Sequence, residues 1–202
     1  MKQLLVATSN QGKIAEFRQA LESSRWKIVT PTDINLGDLD VPETGTTFAE
    51  NATIKAKAYS EKSGLVTIAD DSGLVVKSLN GRPGVYSARY GKTDAQRNQK
   101  ILRELSGQPN RSAYFEAVIA IHDPNTKTTQ IFSGKTAGEI TQKPQGKLGF
   151  GYDPIFFSTD LQKTFAQSIT EEKNRVSHRG RALNQAIQVL WKNSSCSSLP
   201  LF

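Results

Sequence analysis

The sequence predicts an α/β fold in which one mixed β-sheet is flanked by helices. Three observations lead there. Short apolar runs and helical stretches intermingle along the chain, two of the runs face each other across a tight turn, and no repeat or linker divides the sequence. A chain of 202 residues can bury one substantial core. Residues 1–193 are therefore read as a single domain, and the uncharged, serine-rich residues 194–202 as a flexible tail.

Residues 2–7 form a first apolar strand, closed by the polar turn 8–12. From Lys13 the pattern becomes helical, with Ile14, Phe17 and Leu21 at three- and four-residue spacing. Residues 26–29 make a second strand stopped by Pro31, and a loop runs over 32–45. Thr47 followed by Glu50 is a capping box, opening an alanine-rich helix to about Lys62 with Gly64 as its stop. Strand 65–69 is expected to end in a charged turn, Asp70-Asp71-Ser72-Gly73, before Leu74-Val75-Val76 resumes an extended run. A helix covers 93–105. Strands 112–121 and 128–138 flank Asp123-Pro124-Asn125, a turn that joins antiparallel neighbours. A short strand covers 154–157, and Ser177 caps a last helix whose apolar face is Ala182, Leu183, Ala186, Ile187 and Leu190.

Composition excludes several classes. With 37% hydrophobic and 22% charged residues the chain is neither disordered nor fibrous. Its single cysteine, Cys196, can build neither an internal disulfide nor a thiolate metal site alone. The early apolar run Leu4-Leu5-Val6-Ala7 is too short for a membrane span or a signal peptide, so a cytoplasmic location and no membrane partner are expected. The net charge of +7 is spread evenly, 14 basic against 11 acidic residues over 1–100 and 12 against 8 over 101–202. That distribution favours solubility and steering of a polyanion over specific nucleic-acid binding.

Several segments carry chemistry. Thr8-Ser9-Asn10-Gln11-Gly12-Lys13 places hydroxyls, a glycine and a lysine where a strand gives way to a helix, a recipe for phosphate, although an ordinary N-capped helix reads the same way. Asp70 and Asp71 are adjacent, so in a strand they point to opposite faces; either could serve Mg²⁺, or both could sit in a solvated turn. Glu43 precedes the alanine-rich helix, on which Asn51 and Lys55 share a face. In Gly149-Phe150-Gly151-Tyr152-Asp153-Pro154, glycines permit close approach and the aromatics either stack on a base or tuck into the core. Lys173, His178 and Arg179 concentrate donors near the start of the last helix.

Together these stretches resemble the inosine/xanthosine triphosphate pyrophosphatases. The matching segments are Thr8 to Lys13, 43–52, 69–74, 83–90, 149–157, and 171–173 with 177–180, in the family's order, covering residues 3 to about 190. The resemblance implies an elongated mixed sheet with two lobes and an active-site cleft between them, and a homodimer. It implies a purine nucleoside triphosphate substrate, with Mg²⁺ as cofactor on Glu43 and Asp71, and Asp71 also acting on the attacking water. Thr8, Ser9, Asn10, Gln11, Gly12 and Lys13 would hold the triphosphate, assisted by Asn51 and Lys55, and Ser72 would contact substrate. Phe150, Gly151, Tyr152, Asp153, Lys173, His178 and Arg179 would enclose and read the base.

Overall fold

The computed structural model describes residues 2–192, so the expected tail lies outside the described residues. Within them seven strands form one sheet, ordered β2-β1-β3-β4-β5-β6-β7. The strands are β1 (Lys2–Val6), β2 (Trp26–Val29), β3 (Val66–Val76), β4 (Ser112–Asp123), β5 (Thr128–Ile140), β6 (Phe156–Ser158) and β7 (Lys163–Thr164). β1 runs parallel to β2 and β3, and the remaining pairs are antiparallel. The sheet is mixed, as the interleaved pattern predicts.

The α-helices are α1 (Gln11–Ala20), α2 (Phe48–Ser63), α3 (Asp94–Glu104), α4 (Thr170–Val176) and α5 (His178–Lys192). Both halves of the α2 capping box form, and Gly64 ends the helix at φ +68°. Asn10 caps α1 by accepting from the Lys13 amide, so that helix begins two residues before the apolar spacing suggests.

The apolar side chains gather in three clusters. One packs Leu4, Phe17, Ile68, Ile119, Ile121 and Leu183 at one end of β3 and β4. A second packs Leu74, Val76, Ile101, Phe115, Phe156 and Phe165 at the other end. A third, beneath α2, joins Ala52, Ala56, Ala69 and Ala120. The middle of β3 lies between the two end clusters, and there the chain becomes polar.

Here the structure corrects the sequence reading. Asp70-Asp71-Ser72-Gly73 is not a turn; β3 runs through it without a break, pairing Asp70 with Ile119, Asp71 with Val118, Ser72 with Ala117 and Gly73 with Glu116. The ladder to β4 overrides the local preference of Asp, Ser and Gly for turns. Gly73 serves close approach: a Cβ there would lie 2.4 Å from the Gly84 carbonyl oxygen and the Ser87 hydroxyl. The strand expected at 154–157 begins later, because residues Asp153–Ile155 form a 3₁₀ turn around Pro154, which has no amide to donate. β7 and α4 went unread, being two and seven residues long and without an apolar period of their own.

Candidate active site

Adjacent residues of a strand face opposite ways, and β3 uses this to separate its two carboxylates. Asp70, itself buried, points into a largely buried ionic cluster. Its Oδ2 accepts from Arg179 Nε at 2.9 Å, and its Oδ1 lies 3.1 Å from Lys13 Nζ. Burial alone would raise the Asp70 pKa, but Lys13 and Arg179 hold it well below the usual carboxylate range. Glu16, one turn along α1 from Lys13, completes the cluster. One of its oxygens meets Arg179 Nη1, and the other lies 3.0 Å from Lys173 Nζ. Lys173 also reaches Asp153 Oδ2 at 2.7 Å, and Arg179 Nη2 donates to Ser72 Oγ at 2.8 Å. Three carboxyl groups thus face three cations in a nearly dry interior, an arrangement that tolerates burial only when every member is paired.

Asp71 faces the other way, toward α2 and Glu43. Its Oδ2 accepts from Asn51 Nδ2 at 3.0 Å, and its Oδ1 from the Ser72 amide at 2.9 Å. Burial pushes its pKa up, against Lys55 and the Asn51 bond, and the charge of Glu43 adds to the rise. Glu43 Oε1 lies 2.9 Å from Lys55 Nζ, which also donates to the Asp70 carbonyl at 2.6 Å. Among the described residues, no three His, Cys, Asp or Glu side chains are grouped to hold a metal unaided.

At the head of α1, Ser9, Asn10 and Gln11 are exposed while Thr8, Gly12 and Lys13 are half-buried. The Gln11 and Gly12 amides lack intrahelical partners there, that of Lys13 being taken by the Asn10 cap. Gly12 is closed over by the Phe150 ring: a Cβ on Gly12 would lie 2.5 Å from Phe150 Cδ1. Phe150 also covers Lys173 Nζ, 4.5 Å from its ring centre. The glycine-rich loop therefore meets the head of α1 directly.

The residues expected at the base divide into two layers. Phe150 and Gly151 line the surface, whereas Tyr152, Asp153, Lys173, His178 and Arg179 lie beneath it. Tyr152 belongs to the apolar core, with its hydroxyl donating to the Ser87 carbonyl at 2.8 Å. Asp153 accepts from the Phe150 amide at 2.9 Å. His178 stacks on Phe115, ring centres 4.6 Å apart, with Nδ1 buried and unpartnered among the described residues. Burial, with Arg179 and Lys173 nearby, drives the His178 pKa well below its ordinary value and keeps the ring neutral. Asn51, expected at the phosphates, is wholly buried, and its amide oxygen accepts from the Gly45 amide at 2.8 Å. It orients Asp71 instead of facing outward.

Glu16, Ser87, Asp94 and Asn98 join this architecture without having been read from the sequence. Glu16 left one signal: a carboxylate between Ile14 and Phe17 on the helix face that packs inward. The contact at Gly12 yields a direct test. Gly12→Ala should displace the Phe150 ring while the partly exposed side chain swings aside, leaving the fold intact. If that ring stacks on a ligand base, worth ~1–3 kcal/mol, KM should rise roughly 5-fold or more. Steady-state kinetics with an unchanged KM would show that the ring does not contribute to binding.

Known proteins agree with this architecture. A dITP/XTP pyrophosphatase from a Nostoc species is 48% identical over 182 residues, 90% of each chain. Another from Bacillus licheniformis is 43% identical over 195 residues, covering 94% of this chain and 98% of its own. A solved HAM1 protein from Coxiella burnetii has a TM-score of 0.86 at 43% identity, covering 95% of this chain and 100% of that one. The Staphylococcus aureus Ham1 protein gives 0.85 at 40% identity, covering 96% and 100%. The Ham1 family model spans residues 4–189, taking in every segment that builds the site, and the chain belongs to the Ham1 family.

Proposed function

We propose that this protein hydrolyses inosine, deoxyinosine and xanthosine triphosphates to the monophosphate and pyrophosphate, removing non-standard purines from the nucleotide pool. The carrying observation is the division of labour on β3, where Asp70 is locked under Lys13 and Arg179 while Asp71 is held on the opposite face by Asn51, within reach of the charges of Lys55 and Glu43. The names of the Nostoc and Bacillus relatives point to the same reaction.

In this reading the α1 amides and Lys13 hold the triphosphate, and Lys13 meets the charge that grows on the departing pyrophosphate. Asp71 accepts the proton of the water that attacks the α-phosphorus. A carboxyl group whose pKa is raised is a better base than an ordinary one. Asn51 and the Ser72 amide fix its direction. Mg²⁺ suits the site: two neighbouring carboxylates, one raising the other's pKa, would both be relieved by a hard cation. Glu43 and Asp71 would hold it, and once bound it supplies charge neutralisation at the phosphates.

Beneath the base, Arg179 uses three of its five donors on protein partners and Lys173 two of its three. What remains can only donate. Hypoxanthine and xanthine present an oxygen at purine position 6, where adenine presents an amino group, so donors there reward the first two and oppose the third. Sites built on such hydrogen bonds discriminate by as much as ~10⁴–10⁵. Pyrophosphate release should therefore be far faster with inosine or xanthosine triphosphate than with adenosine triphosphate, and should require Mg²⁺. Equal rates with inosine and adenosine triphosphates would reject the donor-based account. A homodimer in the cytoplasm is part of the same reading, and sedimentation of the purified protein tests the assembly. No described helix is long and apolar enough to cross a membrane.

A further inference from the structure

Phe150 is a partly exposed aromatic of the site, yet a side chain on a glycine-rich loop has no fixed place unless its backbone is held. The backbone is held from one side by α3. The Gly151 amide donates to Asp94 Oδ2 at 2.7 Å, and the Gly151 carbonyl accepts from Asn98 Nδ2 at 3.1 Å. Asp94 and Asn98 are one helical turn apart on the same face of α3. The peptide planes before and after Gly151 are therefore each tied to one helix, and Gly151 itself sits at φ +62°. A side chain would strain that conformation. α3 is anchored in turn: Arg97 pairs with Asp94 and donates to the Ala88 carbonyl at 2.7 Å and the Gly91 carbonyl at 3.2 Å.

Asn98 shows that this contact is not incidental. It is buried, and its Oδ1 has no hydrogen-bond partner among the described residues. A buried amide with half its capacity unmet is costly, and a small apolar residue would avoid that cost. The one bond its amide nitrogen makes is the bond to Gly151. None of the hydrogen bonds of Asp94 and Asn98 reaches Asp71, Asn51 or Ser72.

We propose that Asp94 and Asn98 are positioning residues for purine recognition, acting through Gly151 to fix the Phe150 ring over the base. This rests on the functional reading above and deepens it: affinity for the base is set partly from α3, through backbone. Loss of either bond lets the ring wander. Base binding weakens, while Asp71 and the phosphate-holding groups are untouched.

The test is steady-state pyrophosphate release from inosine and adenosine triphosphates by the full chain and three variants. Asp94→Ala removes the acceptor for the Gly151 amide, and Asn98→Asp removes the donor without changing size. Each should raise KM for inosine triphosphate by roughly 2-fold to 10-fold, the range of a single lost hydrogen bond, with kcat little changed. The preference for inosine over adenosine should change little, because stacking tolerates any base. Asp94→Asn keeps an oxygen for Gly151 while giving up the charge that pairs with Arg97, so it should recover the wild-type KM. A role confined to fold stability predicts otherwise, with KM steady, active fraction and Tm falling together, and Asp94→Asn no better than Asp94→Ala. That pattern, or Asp94→Ala and Asn98→Asp kinetics indistinguishable from wild type, overturns the inference alone. A wild-type protein inert on every triphosphate overturns the functional reading, and this inference with it.

Discussion

Asp71→Asn is expected to abolish turnover almost completely while leaving the protein folded. Asparagine has the same shape, and its amide oxygen can still accept from Asn51 or from the Ser72 backbone, so packing survives. What disappears is the basic oxygen and one negative charge beside Glu43. Loss of a general base alone lowers rates by ~10²–10⁴, and weaker cation binding adds to the deficit. Single-turnover pyrophosphate release, with circular dichroism to verify folding, measures both halves of the expectation. A variant retaining a fifth of the wild-type rate would remove Asp71 from the chemistry.

Arg179→Ala should produce the largest loss of stability. Arg179 is 2% exposed and stands between Glu16, Asp70 and Ser72. Truncation leaves two buried carboxylates with one cation fewer, and breaking such a pair costs ~3–5 kcal/mol. For a domain near this length each kcal/mol lowers Tm by roughly 2–4 °C, so a fall of roughly 6–20 °C is expected. Glu16→Gln should cost less, since both cations it faces keep a second carboxylate, Asp70 for Arg179 and Asp153 for Lys173. Thermal melts of the two variants side by side test the ordering. An Arg179→Ala protein that melts with the wild type would show that the buried cluster contributes nothing to folding.

Much of the architecture can be read locally. The capping box at Thr47 and the stop at Gly64 act within one turn, and their consequences are present in α2. The apolar spacing of 182–190 likewise dictates which face of α5 packs against the sheet. Where the sequence misleads, the deciding partner lies far away. Asp70 to Gly73 looks like a turn until β4 is placed alongside, and β4 begins about forty residues later. Tyr152 looks like a base-stacking residue until Ser87 claims its hydroxyl. Glu16 gains its meaning only from Lys173 and Arg179, which approach it from the opposite end of the chain. The glycine-rich loop is legible as a loop, but its attachment to α3 is not, because that attachment runs through backbone atoms that every residue possesses.

The uninterrupted course of β3 also limits how this gene can change in length. Side chains alternate along a strand, so a one-residue shift exchanges everything on one face with everything on the other. An insertion or deletion upstream of Asp70 within β3, with the pairing of Val66–Ile68 to β1 retained, would shift Asp70 and Asp71 by one residue and present the wrong carboxylate to each side of the sheet. The side facing α2 would then receive an acid meant for Arg179, and the buried cations an acid meant for Asn51. Codon gains and losses are tolerable at the exposed turn after Asp123, whereas between Val66 and Asp71 a single added codon would cost the molecule its polarity from face to face.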